Sequence, residues 1–176
     1  MSKASNYVSE AVMRRLPKYY RYLDDLEKGG VERLSSKELS RRMGLTASQI
    51  RQDLNCFGGF GQQGYGYNVS ELKKELIKIL GLDKKYNLII VGAGNIGQAL
   101  ANYGAFEKEG FFINALFDTN PKLIGMSIRG IKIYDLDYLE GHIGDNPTDI
   151  AIIATPRERA QEITDRLIAC DIKGIW

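Results

Sequence analysis

The residues best suited to chemistry form a glycine-rich loop, Gly92–Gly97 (GAGNIG), and an aspartate at position 118. In such a loop the first glycine makes a tight turn, the second lets a pyrophosphate approach the backbone, and the third lets a helix pack on a strand. The helix that begins here offers unpaired N–H groups to phosphate oxygens. Asp118 lies 21 residues after Gly97, near the spacing of a carboxylate that receives ribose hydroxyls. The pattern predicts a dinucleotide site.

The carboxylate of Asp118 also bears on which dinucleotide would bind. Its negative charge would repel a 2′-phosphate, so we expect NAD(H) rather than NADP(H). The alternative is that Asp118 is an ordinary turn or cap residue before Asn120-Pro121.

A parallel sheet must hold this loop. The apolar run Leu88–Val91 before it is typical of a strand buried on both faces, and a helix is expected at Gln98–Tyr103. The following strands and helices alternate: strands at 112–117, 128–134, 150–154 and 172–176, and helices at 136–142 and 157–169. This order predicts an α/β Rossmann domain with a doubly wound parallel sheet.

The reversal of strand order predicts where the rest of a cofactor would lie. Ligands bind at the carboxyl ends of the strands there, which places Ala154, Thr155 and Pro156 beside the nicotinamide. Tyr103 and Phe106 could approach the same ring or simply pack between helix and sheet. Apolar walls of this kind would favour the uncharged ring of NADH over the cationic ring of NAD⁺.

The N-terminal half contains a different pattern, that of a helix-turn-helix. A helix with an apolar stripe is expected from Ser9 to Glu27, in which Pro17 must cause a kink or begin a second helix. Ser35 or Ser36 can cap the next helix, which Gly44 ends, and Thr46 can cap a third. The third helix leaves small, amide and Arg side chains exposed near its start, as a helix that enters a major groove does. Arg51 could bind guanine, and Gln49 or Gln52 adenine.

A glycine- and aromatic-rich segment, 57–69, follows this helix directly. Glycines allow tight turning and aromatics favour extended pairing, so we predict a β-hairpin wing with Gln62-Gln63 at its turn. The alternative is a flexible linker, which would not be expected to contain three aromatics. A last helix is expected to open at Ser70 and Glu71 and to end at Gly81.

Charge separates the two halves. The first 80 residues carry 14 Lys/Arg against 9 Asp/Glu, and the remainder 10 against 13. A basic half joined to an acidic half favours a polyanion-binding module linked to another function. We predict a winged helix-turn-helix domain at 1–80 and a Rossmann domain at 81–176.

Composition restricts where the protein acts. There is no apolar run of about eighteen residues and no signal peptide, which predicts a cytoplasmic protein without a membrane partner. Cys56 and Cys170 are far apart in sequence and fit reduced thiols better than a disulfide or a metal site, with a thiol switch as the alternative.

In this combination the chain resembles the Rex family of redox-sensing transcriptional repressors over essentially its whole length. The matching stretches are 15–21, 35–39, 50–54 with 57–58, 64–67, the glycine loop with 99–103, 117–118 and 174–176. The resemblance implies a homodimer that binds operator DNA when free or bound to NAD⁺ and releases it on binding NADH. It also implies a DNA contact at Arg51 and a nicotinamide contact at Tyr103.

Two differences from the family stand out. Gln52, Gln62 and Gln63 occupy positions where many members have Lys or Arg. Family members also have a further C-terminal portion with a helix that crosses to the partner subunit; because this sequence stops at Trp176 within an expected strand, we expect the native chain to continue.

The main alternative is an NAD-dependent dehydrogenase. The sequence lacks a Tyr followed four residues later by Lys, and its one histidine, His142, is expected at a helix end. A regulator of the same fold that senses another nucleotide is a further alternative. We therefore predict a repressor rather than an enzyme, without a metal.

Two sets of site residues follow. The predicted cofactor residues are Gly92, Ala93, Gly94, Asn95, Ile96, Gly97, Tyr103, Asp118, Thr155 and Pro156. The predicted DNA-binding residues are Arg14, Arg15, Lys18, Ser35, Ala47, Ser48, Gln49, Arg51, Gln52, Gly58, Gln62, Gln63 and Tyr65.

Overall fold

The computed structural model of the chain describes residues 8–58, 61–62 and 65–176. The chain divides into two compact units, and the boundary between them falls between Asp83 and Lys84, close to the expected boundary at Gly81. The elements of the first unit are α1 (Glu10–Lys28), β1 (Arg33–Leu34), α2 (Ser36–Met43), α3 (Ala47–Asn55), β2 (Gly61–Gln62), β3 (Gly66–Asn68) and α4 (Val69–Leu80).

Helix α1 is one helix with Pro17 inside it. Pro17 cannot donate the usual bond to the carbonyl four residues earlier, yet the helix continues because its apolar stripe is fully used. Leu16, Tyr19 and Leu23 are completely buried against side chains of α2, α3 and α4. Burial of this stripe therefore outweighs the single lost hydrogen bond.

The predicted helix caps are confirmed. The Ser35 hydroxyl accepts from the Glu38 N–H while Glu38 returns a bond to the Ser35 backbone, which makes a complete capping box. Gly44 ends α2 in the left-handed conformation, and the Thr46 hydroxyl accepts from the Gln49 N–H at the start of α3. These caps define the turn between α2 and α3.

The predicted wing is confirmed as an antiparallel pair, in which Gly61 lies opposite Tyr67. Gln62, expected at the turn, instead lies in β2 opposite Gly66. Strand β1 pairs with β3 on its other side; it was not predicted, because two residues are too few to show a period. A Cβ at Gly66 would lie 2.5 Å from the Leu34 carbonyl oxygen, so glycine permits this close pairing. Helix α4 begins after Asn68, which caps it, and not at Ser70.

The second unit is a sheet with helices on both faces. Its elements are β4 (Tyr86–Val91), α5 (Asn95–Asn102), α6 (Ala105–Lys108), β5 (Phe111–Asp118), β6 (Ser127–Ile128), β7 (Ile131–Asp135), a 3₁₀ turn (Leu136–Tyr138), α7 (Leu139–Asp145), β8 (Ile150–Ile153), α8 (Arg157–Ala169) and β9 (Gly174–Ile175). The strand order is β6-β7-β5-β4-β8-β9, and it reverses between β4 and β8, as predicted for a Rossmann domain.

One predicted strand was wrong in detail. The segment 128–134 is a tight hairpin of β6 and β7, in which Ile128 lies opposite Ile131. Arg129 and Gly130 both have positive φ, 49° and 83°, as a two-residue turn of this kind requires. The edge of the sheet is therefore antiparallel, although β7, β5, β4, β8 and β9 are parallel.

Two apolar layers hold the sheet. Along β4, Ile89 and Val91 pack with α7 and α8, whereas Leu88 and Ile90 pack on the face that carries Ala101 of α5. This continuous burial on both faces is what the apolar run Leu88–Val91 predicted. Within the described ranges, no helix has the length and apolar character needed to cross a membrane.

Candidate functional site

The glycine loop lies between β4 and α5, and each glycine has a distinct steric role. Gly92 has a φ of 108°, and a Cβ there would lie 2.5 Å from the Ala154 carbonyl oxygen. A Cβ at Gly97 would collide with the Gly92 carbonyl oxygen. A Cβ at Gly94 would meet nothing within 4 Å. Gly92 and Gly97 thus allow the backbone to pack, whereas Gly94 keeps space open for a ligand.

Asp118 holds this loop in place. One of its carboxylate oxygens accepts from the Ala93 N–H at 2.7 Å, and the other accepts from the Asn120 N–H at 2.8 Å. The Gln98 amide donates to the Ala93 carbonyl at 2.8 Å. Asp118 therefore serves the turn at Asn120, as the alternative interpretation proposed, and at the same time lies against the glycine loop.

A pocket of about 170 Å³ opens beside this carboxylate. It lies at the carboxyl ends of β4, β5 and β8, where strand order reverses. Its lining includes Gly92, Gly94, Phe117, Asp118, Thr119, Leu136, Ala154, Thr155, Pro156, Arg159 and Ile163. Glycine backbone, one carboxylate and apolar walls in a single cleft suit the ribose and base of a nucleotide.

Thr155 and Pro156 lie in this pocket together with Asp118. The sequence predicts them beside the nicotinamide, and the structure places them in the same cleft as the expected ribose ligand. Gly92 permits this proximity, because its missing side chain lets the segment after β8 approach the loop. The Thr155 hydroxyl is buried without a hydrogen-bond partner among the described residues, so it is available to a ligand.

Tyr103 and Phe106 are not in this pocket. Tyr103 caps the C-terminal end of α5 and its ring meets Phe106 edge to face, with 5.3 Å between centroids. Both line a second cavity of about 530 Å³ with Trp176. The glycine loop lies at the opposite end of α5, about 12 Å away for an eight-residue helix. The predicted apolar wall of Tyr103, Phe106, Ala154 and Pro156 is therefore not assembled as one surface.

Four pocket residues were not predicted from the sequence: Thr119, Leu136, Arg159 and Ile163. Arg159 lies in the first turn of α8 and is 47% exposed in its side chain. The available signal was its position, because this helix follows the strand at the point of reversal. Nothing in the local pattern identified Leu136 or Ile163, which the sheet brings to the pocket.

In the first unit, α3 exposes Ser48, Arg51 and Gln52, while Ala47 is half-buried. The Arg51 guanidinium donates to the Ser36 hydroxyl at 3.1 Å, which connects α3 to α2. Arg51, the predicted guanine contact, thus lies on an exposed face, with its side chain oriented by the preceding helix.

Arg15 and Gln49 have a different setting from the other predicted DNA contacts. Their side chains donate to the carboxylate of Asp53, which is completely buried in α3 and also accepts from the Tyr19 hydroxyl. Burial alone would raise the pKa of Asp53, but the hydrogen bonds from Arg15, Gln49 and Tyr19 hold that pKa below its ordinary value. Burial and the bond to Asp53 raise the pKa of Tyr19.

The remaining predicted DNA residues are spread over the surface of the unit. Arg14 and Lys18 are exposed on α1, and Arg14 pairs with Glu10 at 2.5 Å. The Ser35 hydroxyl accepts from the Glu38 N–H and donates to the Glu38 carboxylate, so it is already engaged at the start of α2. Gly58 and Tyr65 are exposed. Gln62 ends β2, and Gln63 lies outside the described residues.

No group of three or more His, Cys, Asp or Glu side chains suited to a metal ion occurs in the part of the chain that the structure describes. Cys56 and Cys170 are both free and half-buried. His142 is buried among the rings of Phe117, Tyr134 and Tyr138. It therefore lies in the core and not at a helix end exposed to solvent.

Family models match both units. Residues 83–176 match the CoA binding domain, and residues 7–55 match a putative DNA-binding protein N-terminus. Among curated relatives, the redox-sensing transcriptional repressor Rex of Clostridium botulinum (strain Hall) is 62% identical over the whole chain, which covers 83% of that protein. Rex of Thermoanaerobacter pseudethanolicus is 58% identical, again over the whole chain, which covers 78% of that protein.

Solved structures agree with these relatives. The Rex-family repressor RSP in complex with β-NAD⁺ and operator DNA is 59% identical, with a TM-score of 0.93 over 96% of this chain and 78% of that one. RSP in complex with β-NADH is 55% identical, with a TM-score of 0.90 over 97% of this chain and 79% of that one. These relatives are regulators, which decides against the dehydrogenase alternative. The chain belongs to the Rex family of redox-sensing transcriptional repressors.

Proposed function

We propose that this chain acts in the cytoplasm as a homodimeric repressor that binds operator DNA through its first unit and NADH or NAD⁺ through its second. NADH binding releases the DNA, so transcription follows the NADH/NAD⁺ ratio. The observation that carries this proposal is the presence of an exposed helix α3 in one unit and of the Gly92–Gly97 loop with Asp118 in the other.

The cofactor is proposed to enter the second unit with its pyrophosphate over Gly94, where no side chain intervenes. Its adenosine would occupy the pocket with Asp118, Thr155 and Pro156. The N–H groups of Asn95, Ile96 and Gly97 form the first turn of α5, the position at which a helix offers free donors to an anion, whereas the Ala93 N–H is already bound to Asp118. An extended dinucleotide holds its two rings far apart, so Tyr103, away from Asp118, is the proposed nicotinamide contact.

The proposed DNA contacts are of two kinds. Arg51 and Gln52, with Ser48 on the same helix, would contact base edges, since all three are exposed on α3. Arg14 and Lys18 would contact phosphates without reading sequence. The basic character of the first 80 residues supports such a division.

Reciprocal linkage tests the switch. If NADH weakens operator binding by some factor, operator DNA must weaken NADH binding by the same factor. A change from 99% to 1% DNA-competent dimer requires a differential of about 5.5 kcal/mol, shared between two sites. NADH should be titrated into the dimer with and without a selected duplex, which is a DNA duplex chosen from random sequences because it binds this chain. Equal NADH affinities in the two titrations would contradict the redox switch.

A further inference from the structure

The carboxylate of Asp53 connects α3 to α1. Arg15 of α1 approaches it with two nitrogens, Nε at 2.6 Å and Nη2 at 2.8 Å, and the Tyr19 hydroxyl of the same helix donates at 2.8 Å. The Asp53 side chain is 0% exposed. A carboxylate buried to this extent is costly unless it is fully hydrogen-bonded, so the set of donors is needed for α3 to pack where it does.

The position of Arg15 leaves little of its guanidinium exposed to a DNA phosphate. Two N–H groups of its planar fork are directed at Asp53, and its side chain is 22% exposed, whereas that of Arg14 is 78% exposed. A bidentate pair of this type fixes both position and angle, which a lysine cannot reproduce with a single ammonium.

Gln49, in α3 itself, donates a further hydrogen bond to the Asp53 carboxylate. Its Nε2 donates to Asp53 at 2.9 Å across one helical turn. A carboxylate only accepts hydrogen bonds, so the nitrogen must face Asp53. The amide is thereby turned toward the helix interface, unlike the exposed side chain of Gln52 on the same helix.

We propose that Arg15, Tyr19 and Gln49 are positioning residues that act through Asp53 to fix the orientation of α3 against α1, and that Arg15 makes no phosphate contact. The proposal rests on the DNA-binding function proposed above. Base readout needs side chains aimed within hydrogen-bonding distance of base edges, so a rotation of α3 would reduce sequence preference and leave the exposed phosphate-binding cations in place.

Arg15→Gln and Arg15→Lys test the proposal in the full chain. Affinity is measured for the selected duplex and for a random duplex of equal length, between low and moderate salt, at a temperature where circular dichroism shows each variant to be folded. We expect both variants to lower the ratio of selected to random affinity by about tenfold, the effect of one mismatched base pair. Neither should change the slope of log affinity against log salt.

The matched control replaces the exposed cations Arg14 and Lys18 on the same helix with Gln. Each phosphate contact that is lost should reduce the salt slope by about 0.9 and weaken both duplexes alike. Tyr19→Phe is the second test, because it removes one donor to Asp53 without any change of charge. It should lower the selectivity ratio in the same direction as Arg15→Gln, with an unchanged slope.

Three results would overturn the proposal. The first is a salt slope that is reduced in Arg15→Gln but normal in Arg15→Lys. This result would indicate a phosphate contact, because any positive charge can bind a phosphate. The second is unchanged selectivity in folded Arg15→Gln and Tyr19→Phe, which would make the network structural only. The third is a selectivity loss in Arg15→Gln that Tyr19→Phe does not share. Absence of duplex binding by the unaltered chain would instead contradict the proposed function itself.

Discussion

The two units prepare their binding surfaces by opposite means. In the second unit the loop Gly92–Gly97 works through the side chains it lacks, because a Cβ at either end would strike backbone. In the first unit α3 works through the side chains it has, and the buried carboxylate of Asp53 anchors that helix. Steric sites should fail abruptly on substitution, whereas electrostatic sites should weaken in steps and respond to salt.

The largest expected effect is that of Gly97→Ala. Its new Cβ would collide with the Gly92 carbonyl and also lie 3.3 Å from the Ile90 side chain. Because a backbone carbonyl cannot move aside as a flexible side chain can, we expect a loss of about 2–3 kcal/mol in the free energy of unfolding, together with loss of NADH binding. Urea unfolding followed by the fluorescence of Trp176, the one tryptophan in the sequence, reports on this unit.

Two further glycines sharpen this test. Gly144→Ala in α7 meets nothing within 4 Å and should be neutral or stabilising by up to about 1 kcal/mol. Gly94→Ala also meets nothing, at an ordinary φ of −73°, so it should leave folding unchanged but weaken NADH binding by at least about tenfold, or 1.4 kcal/mol. Full stability of Gly97→Ala, or full NADH affinity of Gly94→Ala, would contradict the steric account.

A smaller effect is expected from Asp118→Asn. The substitution keeps the shape of the side chain but removes its charge, so the proposed charge-assisted bonds to the ribose, worth about 1.5–3 kcal/mol, are weakened together with the bond to either the Ala93 or the Asn120 N–H. NADH affinity should fall, and the preference for NADH over NADPH should fall with it. Asp135→Asn is the matched control, since Asp135 lies opposite Asp118 in the neighbouring strand and caps the 3₁₀ turn. Equal binding of NADH and NADPH by the unaltered chain would show that Asp118 is not the ribose ligand.

In the first unit, Arg51→Ala should cost about 1–3 kcal/mol in operator affinity, concentrated at one base pair. The side chain is exposed and donates to the Ser36 hydroxyl at 3.1 Å, so we expect little change in folding. Binding to duplexes with single-base changes gives the measurement. Arg41→Ala, at the exposed C-terminal end of α2, should instead weaken every duplex by a similar amount. A uniform loss for Arg51→Ala would make it a phosphate contact.

The smallest effect concerns pH and again separates the units. Burial lowers the pKa of His142 below its ordinary 6.5, against a smaller opposing effect of Asp145. The unfolded chain then binds the proton more readily, so the stability of the second unit should fall as pH drops below 6.5, by less than about 1.4 kcal/mol per pH unit. The lowered pKa of Asp53 means that its contribution to the first unit is lost only below about pH 3.8.

Urea unfolding of the second unit at pH 7.5 and 5.5 checks this order. The ring of His142 packs against Phe117 and Tyr134, and its Nε2 has no partner among the described side chains. His142→Phe should therefore keep the packing and flatten the pH dependence. An equally steep decline in His142→Phe would assign the effect to another group.

The sequence by itself determined the features that a few neighbouring residues encode. Ser35 and Thr46 cap their helices through hydrogen bonds that span three residues. The strand, glycine loop and helix around Gly92–Gly97 were likewise predictable, because apolar periodicity and the absence of a Cβ act locally. The alternation of strands and helices also predicted a doubly wound parallel sheet, although not the antiparallel hairpin of β6 and β7 at its edge.

Only the tertiary structure decided which side chains meet. Arg15 and Asp53 are 38 residues apart, and nothing in either local pattern distinguishes Arg15 from the exposed Arg14. Gln49 and Gln52 look equivalent in sequence, yet one is turned toward a buried carboxylate and the other toward solvent. Arg159 and Thr155 reach the pocket of Asp118 because β8 lies next to β4. Such pairings depend on how whole elements pack, which no short window of residues encodes.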